Sequence, residues 1–248
     1  MEYKKGIPIK PYAIRKDGIV YEYDSVRGTC RAFNVSPEVW KTVKPKNESN
    51  SKESLIIGRN HTLSQNQNTF VSGAKHEISN RLEDVSVIGG KSGKATLSGE
   101  VVIGGGYGDG LTAGQIQTSI IHLSGQCSGD DIDLHTQGSD TGEIILPKNS
   151  MNIYDVCVTA LCTGGSSGTA GHYKAYREVG SIRCDNSGAL HKRTTLEQDI
   201  DSSGTTGTIT TDTSVAFTFT IGFAGAVNVN SQVSAVVKLY INQTRVTF

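Results

Sequence analysis

Aromatic side chains are scarce in this chain, at 6% of 248 residues, and charged side chains reach only 19%. Proline occurs five times. No segment keeps apolar residues at i, i+3, i+4 and i+7 over several turns, which argues against a helical repeat or a helical enzyme core. No apolar run reaches the length of a membrane-crossing helix. Met1-Glu2-Tyr3-Lys4-Lys5 is not followed by the apolar stretch of a secretory signal, so the expectation is synthesis in a cytoplasm without export by the usual route. Lys plus Arg and Asp plus Glu number 24 each, and the formal net charge is zero. Such a chain has no field of one sign with which to gather nucleic acid or an acidic membrane.

Cysteine is present but unpatterned. Cys30, Cys127, Cys157, Cys162 and Cys184 are odd in number, and their spacing matches no zinc motif. Free, mostly buried thiols are expected, as in a reducing compartment.

What the chain has in quantity is glycine, 29 residues. Between Ser54 and about Gly125 much of it is periodic. Leu55-Ile56-Ile57-Gly58 returns as Phe70-Val71-Ser72-Gly73, Ser86-Val87-Ile88-Gly89 and Val101-Val102-Ile103-Gly104, with a looser echo at Ser119-Ile120-Ile121-His122. A short apolar burst ending in glycine, repeated about every 15 residues, reads as a strand and a corner in one small turn of structure. Second apolar points follow at Leu63, Ile78, Leu97 and Leu111. The polar runs Arg59-Asn60-His61, Ala74-Lys75-His76 and Gly90-Lys91-Ser92 are expected outside. A unit this short cannot bury a face alone, whereas stacked copies can. The alternative is a glycine-rich antiparallel domain with similar strands.

The flanks have other textures. Residues 1–45 contain the extended segment around Ile7, Pro8, Pro11 and Tyr12, where proline fixes φ and restricts its predecessor. Asp17-Gly18 marks a hairpin, Ser36-Pro37 a short helix start, and Trp40, the only tryptophan, follows it. Trp40 covers a small core or anchors in a partner's pocket. Residues 46–53 read as a polar linker. From Glu143 short strands alternate with Gly/Ser/Asn turns, the pattern of an antiparallel sandwich or jelly roll over 143–248. Its exposed tips are expected at Thr163–Gly171 (Ser166, Ser167 and Thr169, with His172 and Tyr173 beside them) and at Ser202–Gly207, which includes Thr205.

The repeat Ile-Gly-Arg-Asn-His-Thr-Leu-Ser, Val-Ser-Gly-Ala-Lys-His-Glu-Ile, Val-Ile-Gly-Gly-Lys-Ser-Gly resembles the head repeats of trimeric autotransporter adhesins and the β-roll repeats of bacteriophage fibres and spikes. The likeness covers about a quarter of the chain; Gly90, Gly105 and Gly106 thicken the motif. The order Leu-Pro-x-Asn-Ser, Tyr-Lys-Ala-Tyr-Arg-Glu, Asp-Asn-Ser-Gly and a closing valine strand resembles C-terminal sandwich domains of phage fibre proteins. The resemblance implies an all-β homotrimer with a β-roll shaft over 54–142 and a sandwich tip over 143–248. It further implies an attachment segment (Ile7, Pro8, Pro11, Tyr12, Trp40) on a capsid or tail protein, exposure on the virion surface, and host glycan or protein contact at Ser166, Ser167, Thr169, His172, Tyr173 and Thr205.

No catalytic constellation stands out. Gly104–Gly110 lacks the Lys-Ser/Thr of a phosphate loop, and no Gly-x-Ser-x-Gly elbow fixes a nucleophile. The expectation is a chain that is not an enzyme, with no cofactor and no resident metal. Asp131, Asp133 and His135 would share one strand face, and whether they hold a cation is left open. A carbohydrate-binding adhesin module and a capsular polysaccharide depolymerase are the alternative functions.

Overall fold

The computed structural model of the protein describes residues 14–16, 19–21, 54–59, 61–63, 66–79, 81–104, 113–136, 143–204 and 206–243. Among these residues all regular structure is strand, and the all-β expectation holds. β1 (Ile14–Lys16) and β2 (Ile19–Tyr21) pair antiparallel with Lys16 opposite Ile19, so Asp17-Gly18 is the two-residue connection of a hairpin. Ile7, Pro8, Pro11, Tyr12, Trp40 and Thr205 lie outside the described residues.

The glycine period builds a parallel coil. β3 (Leu55–Arg59), β4 (Phe70–Ala74), β6 (Ser86–Ile88) and β8 (Val101–Gly104) stack parallel, Leu55 on Phe70, Phe70 on Ser86, Ser86 on Val101. Between them β5 (Glu77–Ile78) and β7 (Lys94–Ala95) make a second, two-stranded parallel wall. Seven described side chains form the buried interior: Ile56, Val71, Ile78, Val85, Val87, Ala95 and Val102. Burying one such side chain is worth about 2 kcal/mol. Ordering the backbone of a turn of about 15 residues costs roughly 1–2 kcal/mol per residue. One turn therefore cannot stand alone, and the hydrogen-bonded neighbours above and below are part of its stability.

Glycine is needed where turns stack tightly. A Cβ on Gly90 would lie 2.1 Å from the Gly104 carbonyl oxygen, and one on Gly73 would lie 2.5 Å from that of Gly90; both glycines have positive φ. Two sequence expectations change here. His76, placed outside by the reading of the polar runs, is fully buried, and His61 is half-buried. The echo at Ser119–His122 is not a further coil turn. It lies in β9 (Ile116–Ser128), which runs antiparallel to β8 with Val102 opposite Ser119.

Beyond the coil come β10 (Asp131–Asp133), β11 (Ile144–Ile145), β12 (Ser150–Gly164), β13 (Tyr173–Cys184), β14 (Leu190–Ser203), β15 (Gly207–Asp212), β16 (Thr218–Gly225) and β17 (Asn230–Gln243). One nine-stranded sheet runs β14-β13-β12-β17-β9-β8-β6-β4-β3, joining the coil wall to five long antiparallel strands. A smaller sheet is centred on β16, which pairs with β10, β11 and β15. The main core draws on both sheets, with Phe219, Ile221 and Phe223 from β16 and Tyr154, Val156, Val237 and Leu239 from the large sheet. The alternation is strict along β12 and β17, buried residues at every second position. One buried row crosses from region to region in register: Ile56, Val71, Val87, Val102, Ser119, Leu239, Tyr154, Gly180.

Candidate functional site

Three places in the described structure gather polar chemistry. The first is the end of the large sheet where the predicted tip residues lie. Ser166, Ser167 and Thr169 are exposed, and His172 is half-buried. The loop is tied down by its own backbone: Ser167 donates to the Asn228 carbonyl (3.1 Å), His172 to that of Thr169 (3.1 Å), and Cys162 to that of His172 (2.7 Å). The His172 ring lies against Gly204, leaving no room for a side chain there. The loop before β13 and the end of β14 thus meet, as do the loop and the β16–β17 turn at Asn228. Tyr173 is 37% exposed, and its hydroxyl donates to Asp201 (2.8 Å). That hydrogen bond and the Asp201 charge raise the phenol pKa. The result is a hydroxyl- and carboxylate-bearing rim with one aromatic face.

The second place is a notch where the coil meets the long strands, about 250 Å³ in volume. Lys94, Glu100, Gln117, Ile144, Pro147 and Ile241 are among the residues that line it. Glu100 is only 2% exposed. Its Oε2 accepts the Thr96 and Leu97 N–H groups at 2.7 and 3.2 Å, clamping the turn before β8. Burial pushes this carboxyl above the usual carboxylate range, partly opposed by those N–H groups and by Ser119. Gln117 acts as a substitute strand neighbour. Its Oε1 accepts the Lys94 N–H (2.8 Å), while Nε2 donates to the Lys94 carbonyl and to Ser119 Oγ, both 2.9 Å.

The third is buried. Glu178 on β13 accepts hydrogen bonds from Tyr154 (2.6 Å), Tyr176 (3.0 Å), Lys192 (3.0 Å), Thr194 (3.1 Å) and Thr211 (3.1 Å). Burial would raise its pKa, but the bonds from Tyr154 and Lys192 outweigh it and hold the group below its ordinary value. Burial and the adjacent carboxylate push both tyrosines up. The network joins β12, β13, β14 and β15, and every partner of the carboxylate is spoken for. Its geometry is structural.

A histidine ladder runs inside the coil. His61 and His76 stack with ring centroids 5.2 Å apart and planes 4° from parallel. His76 Nδ1 accepts the Gly93 N–H (2.9 Å), leaving Nε2 to donate to the Ser72 carbonyl (3.0 Å). One turn below, His61 Nδ1 takes the His76 N–H at 3.3 Å. Burial lowers both pKa values, and for His61 the neighbouring ring adds to the effect. Neutral rings are therefore part of the coil's hydrogen bonding.

Asp131 and Asp133 are exposed on β10, while His135 is half-buried in a bridge to Ser124. Among the described residues no cluster of three His, Cys, Asp or Glu side chains is arranged to hold a metal ion. No described helix is long and apolar enough to cross a membrane. Of the cysteines described, Cys127, Cys162 and Cys184 are buried and free, and Cys157 is free and exposed. Sequence reasoning did not single out Glu100, Gln117, Glu178 or the histidine pair as a group. The 15-residue spacing of His61 and His76 was the one available signal.

No protein-family model and no curated protein sequence matches the chain. Among solved structures it is similar to the tailspike protein of Acinetobacter baumannii phage AM24 (11% identity, TM-score 0.31), covering 66% of this chain and 33% of that one. It is also similar to tailspike gp49 of Acinetobacter baumannii bacteriophage Fri1, described as a capsular polysaccharide depolymerase (10% identity, TM-score 0.28, 76% and 35% covered). A third is the Acinetobacter phage vB_ApiP_P1 tailspike (9% identity, TM-score 0.23, 78% and 54% covered). The chain spans about a third of the length of the first two. The expectation that the chain is not an enzyme is corrected by this comparison, because one matched tailspike is described as a depolymerase.

Proposed function

We propose that the protein is a structural component of a phage fibre or spike that works as a homotrimer on the virion surface. In this reading residues 1–45 attach to a capsid or tail protein, 46–53 link, 54–142 form a shaft whose last strands, β9 and β10, pair with strands of the region beyond it, and 143–248 form a tip that offers host-surface contacts. The observation that carries it is the slenderness of the coil: each of β3, β4, β6 and β8 contributes one buried side chain to its interior. A shaft with so little interior gains from lateral neighbours, and three copies present every tip loop three times, so that weak contacts add through linked presentation. The tip rim of Ser166, Ser167, Thr169, His172 and Tyr173 suits hydroxyl-rich ligands such as surface glycans. Mass measurement in native buffer tests the reading. A threefold multiple of 26.4 kDa is expected; a monomer overturns it. Deleting residues 1–45 should leave a folded trimer that no longer joins particles.

A second reading, capsular polysaccharide cleavage, is favoured by the notch. There Glu100, whose pKa is raised by burial, lines a pocket with both polar and apolar residues, and a carboxyl with a raised pKa is what a general acid requires. Incubation with capsular polysaccharide tests it. Release of reducing ends or unsaturated products that disappears in Glu100→Gln supports cleavage at this site; no release from any capsule of a host the particle infects removes it.

A further inference from the structure

Two imidazoles stitch the coil from turn to turn. Thr62 bridges Glu77, and Glu77 pairs with Lys94, so His61, His76 and Gly93 occupy the same place on successive turns. The ladder has two rings and ends on a glycine. A Cβ on Gly73, Gly93 or Gly104 would lie 2.6, 3.1 or 2.9 Å from the His76 ring. Three glycines thus leave the ring its slot.

Both rings accept main-chain N–H groups. Gly93 donates to His76 Nδ1 at 2.9 Å, and His76 donates to His61 Nδ1 at 3.3 Å. A protonated imidazole carries hydrogen on both nitrogens and has no lone pair to offer. A proton on either Nδ1 would set N–H against N–H, and two charged rings would stack 5.2 Å apart. The charged residues within two positions of these three rungs are Arg59, Lys75, Glu77, Lys91 and Lys94, four cations and one carboxylate, and Glu77 is exposed. No carboxylate weighs in the balance at either ring. Glu100 titrates in the opposite sense on the last turn, where it holds Thr96 and Leu97.

We infer that the histidine ladder is an acid-released latch: protonation of His61 and His76 frees the turns after β3, β4 and β6 from one another, and the coil opens there first. The latch is internal to one chain and stands whether or not copies assemble. An opening that brings water to both rings takes up protons that the closed coil refuses. Below pH 6.5 the opening constant therefore rises about tenfold per pH unit for each such ring.

Amide hydrogen exchange of the intact protein, read by peptide mass and divided by the intrinsic rate at each pH, tests the latch. Between pH 7 and pH 5, residues 66–79 and 81–104 are expected to open about tenfold faster or more, with 150–164 and 230–243 unchanged. Equal acceleration in both regions, or none in the coil, overturns it. In the double variant His61→Asn, His76→Asn each amide oxygen can accept the N–H but takes no proton at these pH values, so the acid response of the coil should vanish. A response as steep as the parent's overturns the proposal. Should that variant fail to fold, NMR of the parent's histidine ring carbons decides. Rings that stay neutral until coil protection is lost support the latch; rings that take protons near pH 6.5 while the coil amides stay protected overturn it.

Discussion

Each coil strand, β3, β4, β6 and β8, sends one described side chain into a buried position; β9, β12 and β17 send five, seven and six. Both regions belong to one sheet and share one buried row, yet they are held differently. The long-stranded region has a second layer, and 21 described residues fill the space between. The coil has a narrow interior in which backbone hydrogen bonds between turns, glycine contacts and two stacked histidines do much of the holding. The lesson is that strand length sets how a sheet is stabilised: long strands close a core with another layer, and short ones need stacking along the axis.

Four experiments sharpen or break that contrast. The largest effect is expected for Glu178→Ala. It takes from the half-buried Lys192 ammonium and two buried phenols the carboxylate they share, and removing one partner of a buried pair costs about 3–5 kcal/mol. The loss should appear in urea melts of the long-stranded region, with the coil following. Ile78→Ala comes next, at about 2–5 kcal/mol. It should lower the coil transition alone; if both regions melt together at the same reduced midpoint, the two are one cooperative unit.

The third is a pH titration of coil stability. His61 and His76 have folded-state pKa values below the ordinary 6.5, so the unfolded chain binds more protons. Their contribution is complete above pH 6.5 and declines as the pH falls below it. Glu100 acts in the opposite sense. Its folded pKa lies above the ordinary 4.5, so its contribution is complete below pH 4.5 and is lost as the pH rises through the folded value. Glu100→Gln is therefore expected to stabilise the protein at pH 7–8, to lose that gain near pH 4.5, and to show the histidine decline unopposed. A variant less stable than the parent at pH 8 would show that the clamp on Thr96 and Leu97 needs the carboxylate itself. The smallest effect belongs to Asp199→Asn. Its ion pair with Lys174 (3.1 Å) has an exposed carboxylate, and such pairs are screened by solvent and salt, so neither midpoint should move measurably.

The coil was legible because glycine punctuation repeats at a fixed interval, and a fixed interval survives the absence of any strong local propensity. The alternating strands around Tyr154 and Val237 were legible for the usual reason, a buried residue at every second position. β14 was not. Leu190–Ser203 is an edge strand that alternates between half-buried and exposed positions only as far as Thr195 and is exposed from there to Ser202, and its half-buried positions include the polar Lys192 and Thr194, so no apolar alternation marks it. β9 misled because Ser119-Ile120-Ile121 carries the local signature of a coil strand while its partner direction is set by β17, more than a hundred residues away. The notch and the Glu178 network escaped for the same reason: their members are gathered by strand pairing across distant segments, as Gln117 is to Lys94 and Thr211 to Glu178. The tip residues are near neighbours in sequence, and the loop holding Ser166 and Thr169 could be delimited by its glycines alone.

The parallel stack gives the molecule a ruler. Each turn occupies one strand spacing, about 4.8 Å, and hands the next turn the same backbone edge that it received. Duplicating or deleting a block of 15 or 16 residues would lengthen or shorten the rod by one such step while the far end kept its shape. Changes of reach would then be quantised, and a stray insertion of one residue would turn the wet and dry sides of a rung inside out.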